Sequence, residues 1–150
     1  MTPETETNWQ QLPNPAHVKK YVGGCHCGAV RFEADLDLTV PVNRCNCTIC
    51  LKAGGSTINV KPHAFRLVAG ADSLGRYGVD ASPNHRAFCK RCGIMCFGEG
   101  DVAELGGEFR TVHVNCLEDV DLSGLNFQYW DGRHDNWMAG PRSKPWPNVP

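Results

Sequence analysis

No apolar run in this sequence approaches the roughly 18–20 residues that a membrane-spanning helix needs, so a membrane is not an expected partner. Surplus charge is also missing. Fifteen Lys and Arg face sixteen Asp and Glu, for a formal net charge of −1. That balance provides no basic field to attract nucleic acid. Aromatic residues are few near the basic ones, so a stacking surface for bases is not expected either. The polar start MTPETETNWQQLPNPAH has neither the charged beginning nor the apolar middle of an export signal, which points to a cytoplasmic protein. Long helices are disfavoured by sixteen glycines and ten prolines in 150 residues, the size of one ordinary domain.

Against this sparse background stand nine cysteines. Disulfides are the ordinary explanation in an exported chain, but no export signal is recognisable, the cytosol is reducing and nine is odd. Spacing is more informative than number. Seven of the nine fall in tight groups: Cys25-His-Cys27, Cys45-Asn-Cys47-Thr-Ile-Cys50 and Cys89-Lys-Arg-Cys92. Cysteines two or three positions apart bridge one another poorly, yet share a metal ion easily.

The remaining pattern predicts an all-β domain. Val30–Asp35 alternates apolar and polar residues, the mark of a half-buried strand. Ser56–Val60, Phe65–Val68, Leu74–Tyr77, His85–Phe88, Ile94–Phe97, Arg110–Asn115 and Asn126–Trp130 read as further short strands. A polar turn is expected at Asp80–Asn84, and Gly98, Gly100 and Gly106-Gly107 are read as loops. One helical turn is expected near Cys47–Ala53. Residues 1–19 read as a flexible leader and 20–150 as the domain, its Pro-rich tail from Gly140 lying extended on the surface.

Two metal sites follow from the spacing. In an extended strand residues i and i+2 share a face, so Cys25 and Cys27 can offer two sulfurs to one ion. The turn holding Cys89 and Cys92 offers two more, with Gly93 letting the chain curl away. Four thiolates make a closed, structural zinc site. A lone Cys-x-x-Cys can also be a redox motif, but strands alternating with helices do not surround this one. Cys45, Cys47 and Cys50 supply only three ligands, which leaves a position for water or substrate, the usual arrangement of a catalytic zinc. The alternative is a second closed site, completed by Cys96, Cys116 or a histidine. Cys96 lies in an apolar run and Cys116 follows a strand, so both read more simply as buried core thiols.

Other polar residues carry less. His26 is expected to point away from the metal of its neighbours, and His63, His85, His113 and His134 lack ligand spacing. Arg44, Lys52, Arg86, Lys90 and Arg91 crowd the cysteine motifs, either to balance thiolate charge or to hold carboxylates of an acidic substrate. Glu118, Asp119 and Asp131 read as loop or surface carboxylates.

Taken in order, Gly24-Cys25-His26-Cys27-Gly28-Ala29-Val30, Cys45-Asn46-Cys47-Thr48-Ile49-Cys50, Phe88-Cys89-Lys90-Arg91-Cys92-Gly93 and Val114-Asn115-Cys116-Leu117-Glu118-Asp119 resemble the glutathione-dependent formaldehyde-activating enzyme family, which includes the centromere protein V domain. Ile94 and Cys96 depart from the common pattern, where Thr and Leu are usual. The resemblance implies a β-tent fold of small antiparallel sheets stapled by zinc. It implies two zinc ions per chain, a structural one on Cys25, Cys27, Cys89 and Cys92 and a catalytic one on Cys45, Cys47 and Cys50. It also implies a carbon–sulfur lyase that joins glutathione to formaldehyde as S-hydroxymethylglutathione. Two alternatives stand beside it: a zinc-stabilised binding module without catalysis, and a different lyase or hydrolase of glutathione conjugates.

Overall fold

The computed structural model describes residues 12–78 and 81–150. Ten strands and one short α-helix lie within them: β1 (Lys19–Gly24), β2 (Arg31–Leu36), β3 (Val42–Cys45), α1 (Thr48–Ala53), β4 (Thr57–Val60), β5 (Phe65–Ala69), β6 (Leu74–Gly78), β7 (His85–Cys89), β8 (Met95–Val102), β9 (Gly107–His113) and β10 (Phe127–Trp130). The domain is therefore all-β, as the pattern of short apolar segments predicts. A three-stranded sheet runs β1-β2-β5, and a seven-stranded sheet runs β10-β3-β4-β9-β8-β7-β6.

One pairing departs from purely antiparallel sheets. β10 lies parallel to β3, from Phe127 opposite Val42 to Trp130 opposite Cys45. Parallel neighbours need a crossover connection. Residues 114–126 provide it through short 3₁₀ turns at Val114–Cys116 and Leu122–Gly124, which carry the chain from β9 past β4 and β3 to the sheet's edge.

The two sheets share one core. β2 alternates strictly, with Phe32, Ala34 and Leu36 facing inward and at most 1% exposed. Phe32 packs on Phe65 of β5 with ring centroids 5.3 Å apart, and Phe65 packs on Phe97 of β8 at 4.6 Å, so aromatic contacts cross from one sheet to the other. Burial of each such side chain contributes about 1.5–3 kcal/mol. On the outer face, Arg66 grips Asp35 through two hydrogen bonds of 3.0 and 2.9 Å.

Some elements escape the apolar pattern for local reasons. Only Gly23 and Gly24 are buried in β1, and only Val42 in β3, so neither strand shows alternation. Gly98 and Gly100, expected in loops, belong to β8. Gly100 sits opposite Phe109, whose ring occupies the space a β-carbon would need. A glycine in that strand is a berth for a cross-strand ring. β9 ends at His113, and Val114–Cys116 turns away as a 3₁₀ segment. Asp80, part of the turn expected before Asn84, lies outside the described residues, as do residues 1–11 of the expected leader. Asn14, further along that leader, donates its N–H to Asp37 at 2.8 Å.

The tail crosses back over the sheet edge. Arg142 pairs with Tyr129 through both backbone hydrogen bonds, 2.8 and 3.0 Å. Trp146 Nε1 donates to the Tyr129 carbonyl at 2.9 Å. Asn46 Nδ2 donates to the Pro147 carbonyl at 2.8 Å.

Candidate metal centres and the adjoining cleft

Cys25 follows β1, Cys27 lies in the next turn, Cys89 ends β7 and Cys92 sits in the turn after it. Their sulfurs all lie within 4.8 Å of one another. Cys25 to Cys27 is 3.6 Å and Cys27 to Cys89 is 3.7 Å. Zinc–sulfur bonds of about 2.3 Å in a regular tetrahedron give edges of about 3.8 Å, so this donor set fits a tetrahedral ion. It does not fit disulfides, and all nine cysteines are free thiols. Since β1 belongs to one sheet and β7 to the other, the cluster joins the two sheets.

The first pair reaches this geometry by a different route from an extended strand. Residues 25–30 form a tight turn, with the Gly28 N–H on the Cys25 carbonyl at 3.3 Å and the Val30 N–H on the Cys25 sulfur at 3.2 Å. In the second pair the Arg91 N–H donates to the Cys89 sulfur at 3.3 Å. Gly93 then turns the chain with φ +79°, a conformation suited to glycine. Backbone N–H donors favour thiolate over thiol. Amides of Cys27 and Ile94 accordingly hold the Cys92 thiol down, at about 6.

The other cluster is compact in sequence. Cys45 ends β3, Cys47 caps the N-terminus of α1, and Cys50 lies in its first turn. The Cys50 N–H points at the Cys47 sulfur, 3.5 Å away. All three sulfurs lie within 4.8 Å of one another, and among the described residues no His, Cys, Asp or Glu joins them as a fourth. Cys96 and Cys116 are buried in the core instead, their thiols donating to the carbonyls of Ile94 and Met95 at 3.4 Å each. The three clustered thiols compete for one negative charge. Hydrogen bonds from Cys45 and Cys50 pull Cys47 down to about 2, while Cys50 is pushed up by Cys45 and Cys47. A divalent soft cation removes that competition, which is the chemical sense of the donor set.

A cleft of about 440 Å³ opens beside Cys45 and Cys50. Its floor is one face of the seven-stranded sheet, reached by alternate residues: Thr57 and Asn59 on β4, and Phe109, Thr111 and His113 on β9. Two of the five basic residues near the cysteine motifs line it, Arg44 and Arg86. Arg86 Nη2 lies 3.9 Å from the Cys50 sulfur. Arg44 is oriented by Ser56, 2.8 Å from its Nε, and by the Phe127 ring, 4.3 Å from its guanidinium. Lys52 is exposed on α1, and Lys90 and Arg91 are exposed beside the four-sulfur cluster; none of the three lines the cleft.

The cleft also contains residues to which spacing assigned no role. His113 is 7% exposed, and burial, then the charge of Arg86, lowers it to about 4, so it is neutral near pH 7. Burial alone would raise the Glu99 carboxyl, but the hydrogen bond and charge of Arg76 outweigh it and hold Glu99 below its ordinary value. Only the i, i+2 alternation of β9 was available in sequence to place His113 with Thr111 on one face.

Behind the cysteines lies a buried polar lock. Asp131, expected at the surface or in a loop, is only 4% exposed. It accepts from Asn46 Nδ2 at 2.7 Å and Asn136 Nδ2 at 3.2 Å, and lies 2.7 Å from His134 Nδ1. Asn46 in turn accepts the Arg133 N–H at 2.9 Å. A buried carboxylate persists only when so satisfied, and here it ties the 131–136 loop to the residue between two of the cysteines. Glu118 does lie at the surface, where it pairs with Arg31 at 3.1 Å, and Asp119 is exposed.

Residues 20–133 match the family described as glutathione-dependent formaldehyde-activating enzyme, a span that includes all seven clustered cysteines. The chain is 44% identical over 78 residues to a protein of Halomonas elongata and 30% identical over 128 residues to one of Emericella nidulans. Both are named "Putative glutathione-dependent formaldehyde-activating enzyme". These matches cover 47% and 82% of this chain, and 50% and 60% of those relatives, so the chain spans little more than half their length. The crystal structure of a Rhodobacter sphaeroides protein is similar at a TM-score of 0.63 and 30% identity, over 73% of this chain and 98% of that one.

Proposed function

The chain belongs to the glutathione-dependent formaldehyde-activating enzyme family, and on that premise we propose that it is a zinc-dependent carbon–sulfur lyase that joins glutathione to formaldehyde or a related small electrophile. The observation that supports this most is the three-sulfur cluster of Cys45, Cys47 and Cys50, which has no fourth protein ligand among the described residues and borders a cleft of about 440 Å³. In this reading those three cysteines hold the working zinc, and Cys25, Cys27, Cys89 and Cys92 hold a structural zinc that staples the two sheets. Bound at the open centre, zinc would keep a substrate thiol as thiolate near neutral pH and serve as a Lewis acid.

The chain's own groups then bind and orient. Glutathione carries two carboxylates and an ammonium group. Arg86 and Arg44 offer guanidinium donors to the carboxylates, and a cleft of this size accommodates a tripeptide. Glu99, ionised and at the same cleft, suits the ammonium end. His113, neutral and buried, provides an imidazole able to hydrogen-bond a bound substrate inside the cleft.

The test is isotope exchange between ¹³C-formaldehyde and glutathione, followed by NMR on protein carrying two zinc ions per chain. Exchange should be faster than in buffer at equal reactant concentrations and should fall to the buffer rate in folded Cys47→Ser protein. Equal rates with and without the two-zinc protein would sink the proposal for formaldehyde.

A further inference from the structure

We propose that the C-terminal tail fits this chain to electrophiles larger than formaldehyde, carbonyl compounds bearing a flat apolar group, and that Trp146 selects them. The inference rests on the glutathione reading above. A second space, of about 540 Å³, adjoins the cleft at Cys45 and Cys50. The two spaces share Arg44, Cys45, Cys50, Gly55 and Trp130, so a molecule reacting at the three sulfurs can extend into both.

Their chemistry differs. The first contains Arg86, Glu99, His85 and His113 besides Arg44. The second has no charged side chain except the shared Arg44 and is walled by Leu51, Tyr129, Trp130, Pro145 and Trp146. A zwitterionic tripeptide belongs in the first, where its charges find partners. The second suits an uncharged, flat group, which stacks on aromatic rings and loses little by leaving water. Formaldehyde has one carbon and would leave most of a 540 Å³ space unused.

Two of those walls come from the tail. Pro145 and Trp146 lie beyond residue 133, where the family match ends, so membership alone does not account for them. Trp146 is also held in place. Its Nε1 donates to Tyr129 O at 2.9 Å, and the Arg142 guanidinium lies 3.8 Å from its ring centroid. Hydrogen bonds from Asn46 to Pro147 O and between His134 Nε2 and Val149 O, both 2.8 Å, fasten the residues that follow. A ring so fixed contributes contact area without first having to be ordered.

The reaction is addition of the glutathione S–H across the carbonyl. A C–S bond forms, the C=O π bond breaks, and the thiol proton ends on the new hydroxyl, so no oxidant or reductant is consumed. The experiment uses the full chain with metal at both centres and two unreactive probes, S-benzylglutathione and S-methylglutathione, measured by titration calorimetry. S-benzylglutathione should bind at least tenfold more tightly. Trp146→Ala should abolish most of that preference, and Trp146→Phe should retain it. In turnover, the ratio of kcat/KM for benzaldehyde to that for formaldehyde should fall at least tenfold in Trp146→Ala. Equal binding of the two probes, or a preference unchanged in Trp146→Ala, overturns the inference and leaves the family reading intact. Activity confined to formaldehyde does the same. If glutathione itself binds but neither conjugate does, this inference alone falls; if glutathione does not bind either, the glutathione reading falls and this inference with it.

Discussion

Gly132 lies directly against Cys45: a β-carbon on Gly132 would stand 2.6 Å from the Cys45 sulfur and 2.6 Å from the Trp137 ring. The loop after β10 can pack this closely against Cys45 only because this residue has no side chain. In Gly132→Ala either the sulfur or the Trp137 ring must move. Zinc at this centre should bind at least tenfold more weakly, while the sheet signal in circular dichroism stays and the four-sulfur zinc is kept. Metal titration with a competing chelator measures it, and wild-type affinity would show that the loop yields instead.

The two centres should differ in how they lose metal. The four-sulfur site joins segments next to both sheets, from Cys25 to Cys92, so an ion held there could leave only if the fold opens. The three-sulfur site lies within Cys45–Cys50 and borders open space. Mild chelation should remove one zinc per chain with the sheet signal unchanged, and Cys47→Ser should reproduce that state. Cys89→Ser should be insoluble or unfolded, because structural zinc contributes on the order of 10 kcal/mol, comparable to a domain's whole stability. Loss of both metals in a single step with unfolding would contradict the division.

Only two of the five basic residues near the cysteine motifs line the cleft. Arg86→Ala should weaken glutathione binding by about 1.5–3 kcal/mol, the range for a charge-assisted hydrogen bond. Arg44→Ala should do likewise, whereas Lys90→Ala and Arg91→Ala should bind as wild type. Calorimetry on the four variants decides it; an equal effect of Arg91→Ala would mean long-range charge rather than contact.

His113 makes stability depend on pH. Its folded value, about 4, lies below its ordinary 6.5, because burial and then the charge of Arg86 oppose protonation. Between those values the unfolded chain binds the proton and the folded chain does not, so stability is complete above about pH 6.5 and declines as pH falls toward 4. The upper limit of the loss is on the order of 3 kcal/mol. Urea unfolding of wild type and His113→Gln at pH 7.5, 6.0 and 5.0 should show the difference between them shrinking as pH falls. A constant difference would mean that His113 is not kept neutral by the fold.

Eight of the ten strands were visible in sequence because their residues alternate or form compact apolar runs between turns. β1 and β3 were not, since pairing with neighbours holds them while their own side chains bury little. The glycines of β8 misled for a related reason. A glycine signals a break when read locally, but Gly100 is accommodated by Phe109, whose place opposite it depends on strand register.

The local cysteine groups Cys25/Cys27, Cys45/Cys47/Cys50 and Cys89/Cys92 were determined by the sequence alone, whereas the meeting of the first with the last is tertiary. Sulfurs two or three residues apart are brought together by a single turn, a constraint that acts over a few bonds and needs no tertiary context. The helical turn after Cys47 belongs to the same class, because its cap, Cys47, is itself one of the clustered cysteines and accepts from the backbone of another, Cys50. Only the tertiary structure decided what surrounds those sulfurs. Arg86, His113 and Glu99 reach one cleft from three strands, and their separation from Arg91 and Lys90 depends on which face each strand turns inward. Asp131 became a buried lock rather than a surface charge because β10 runs parallel beside β3 and delivers its loop behind Cys45. Burial and partnership of a side chain are set by residues distant in sequence, so the sequence showed the local sulfur groups and the fold chose their surroundings.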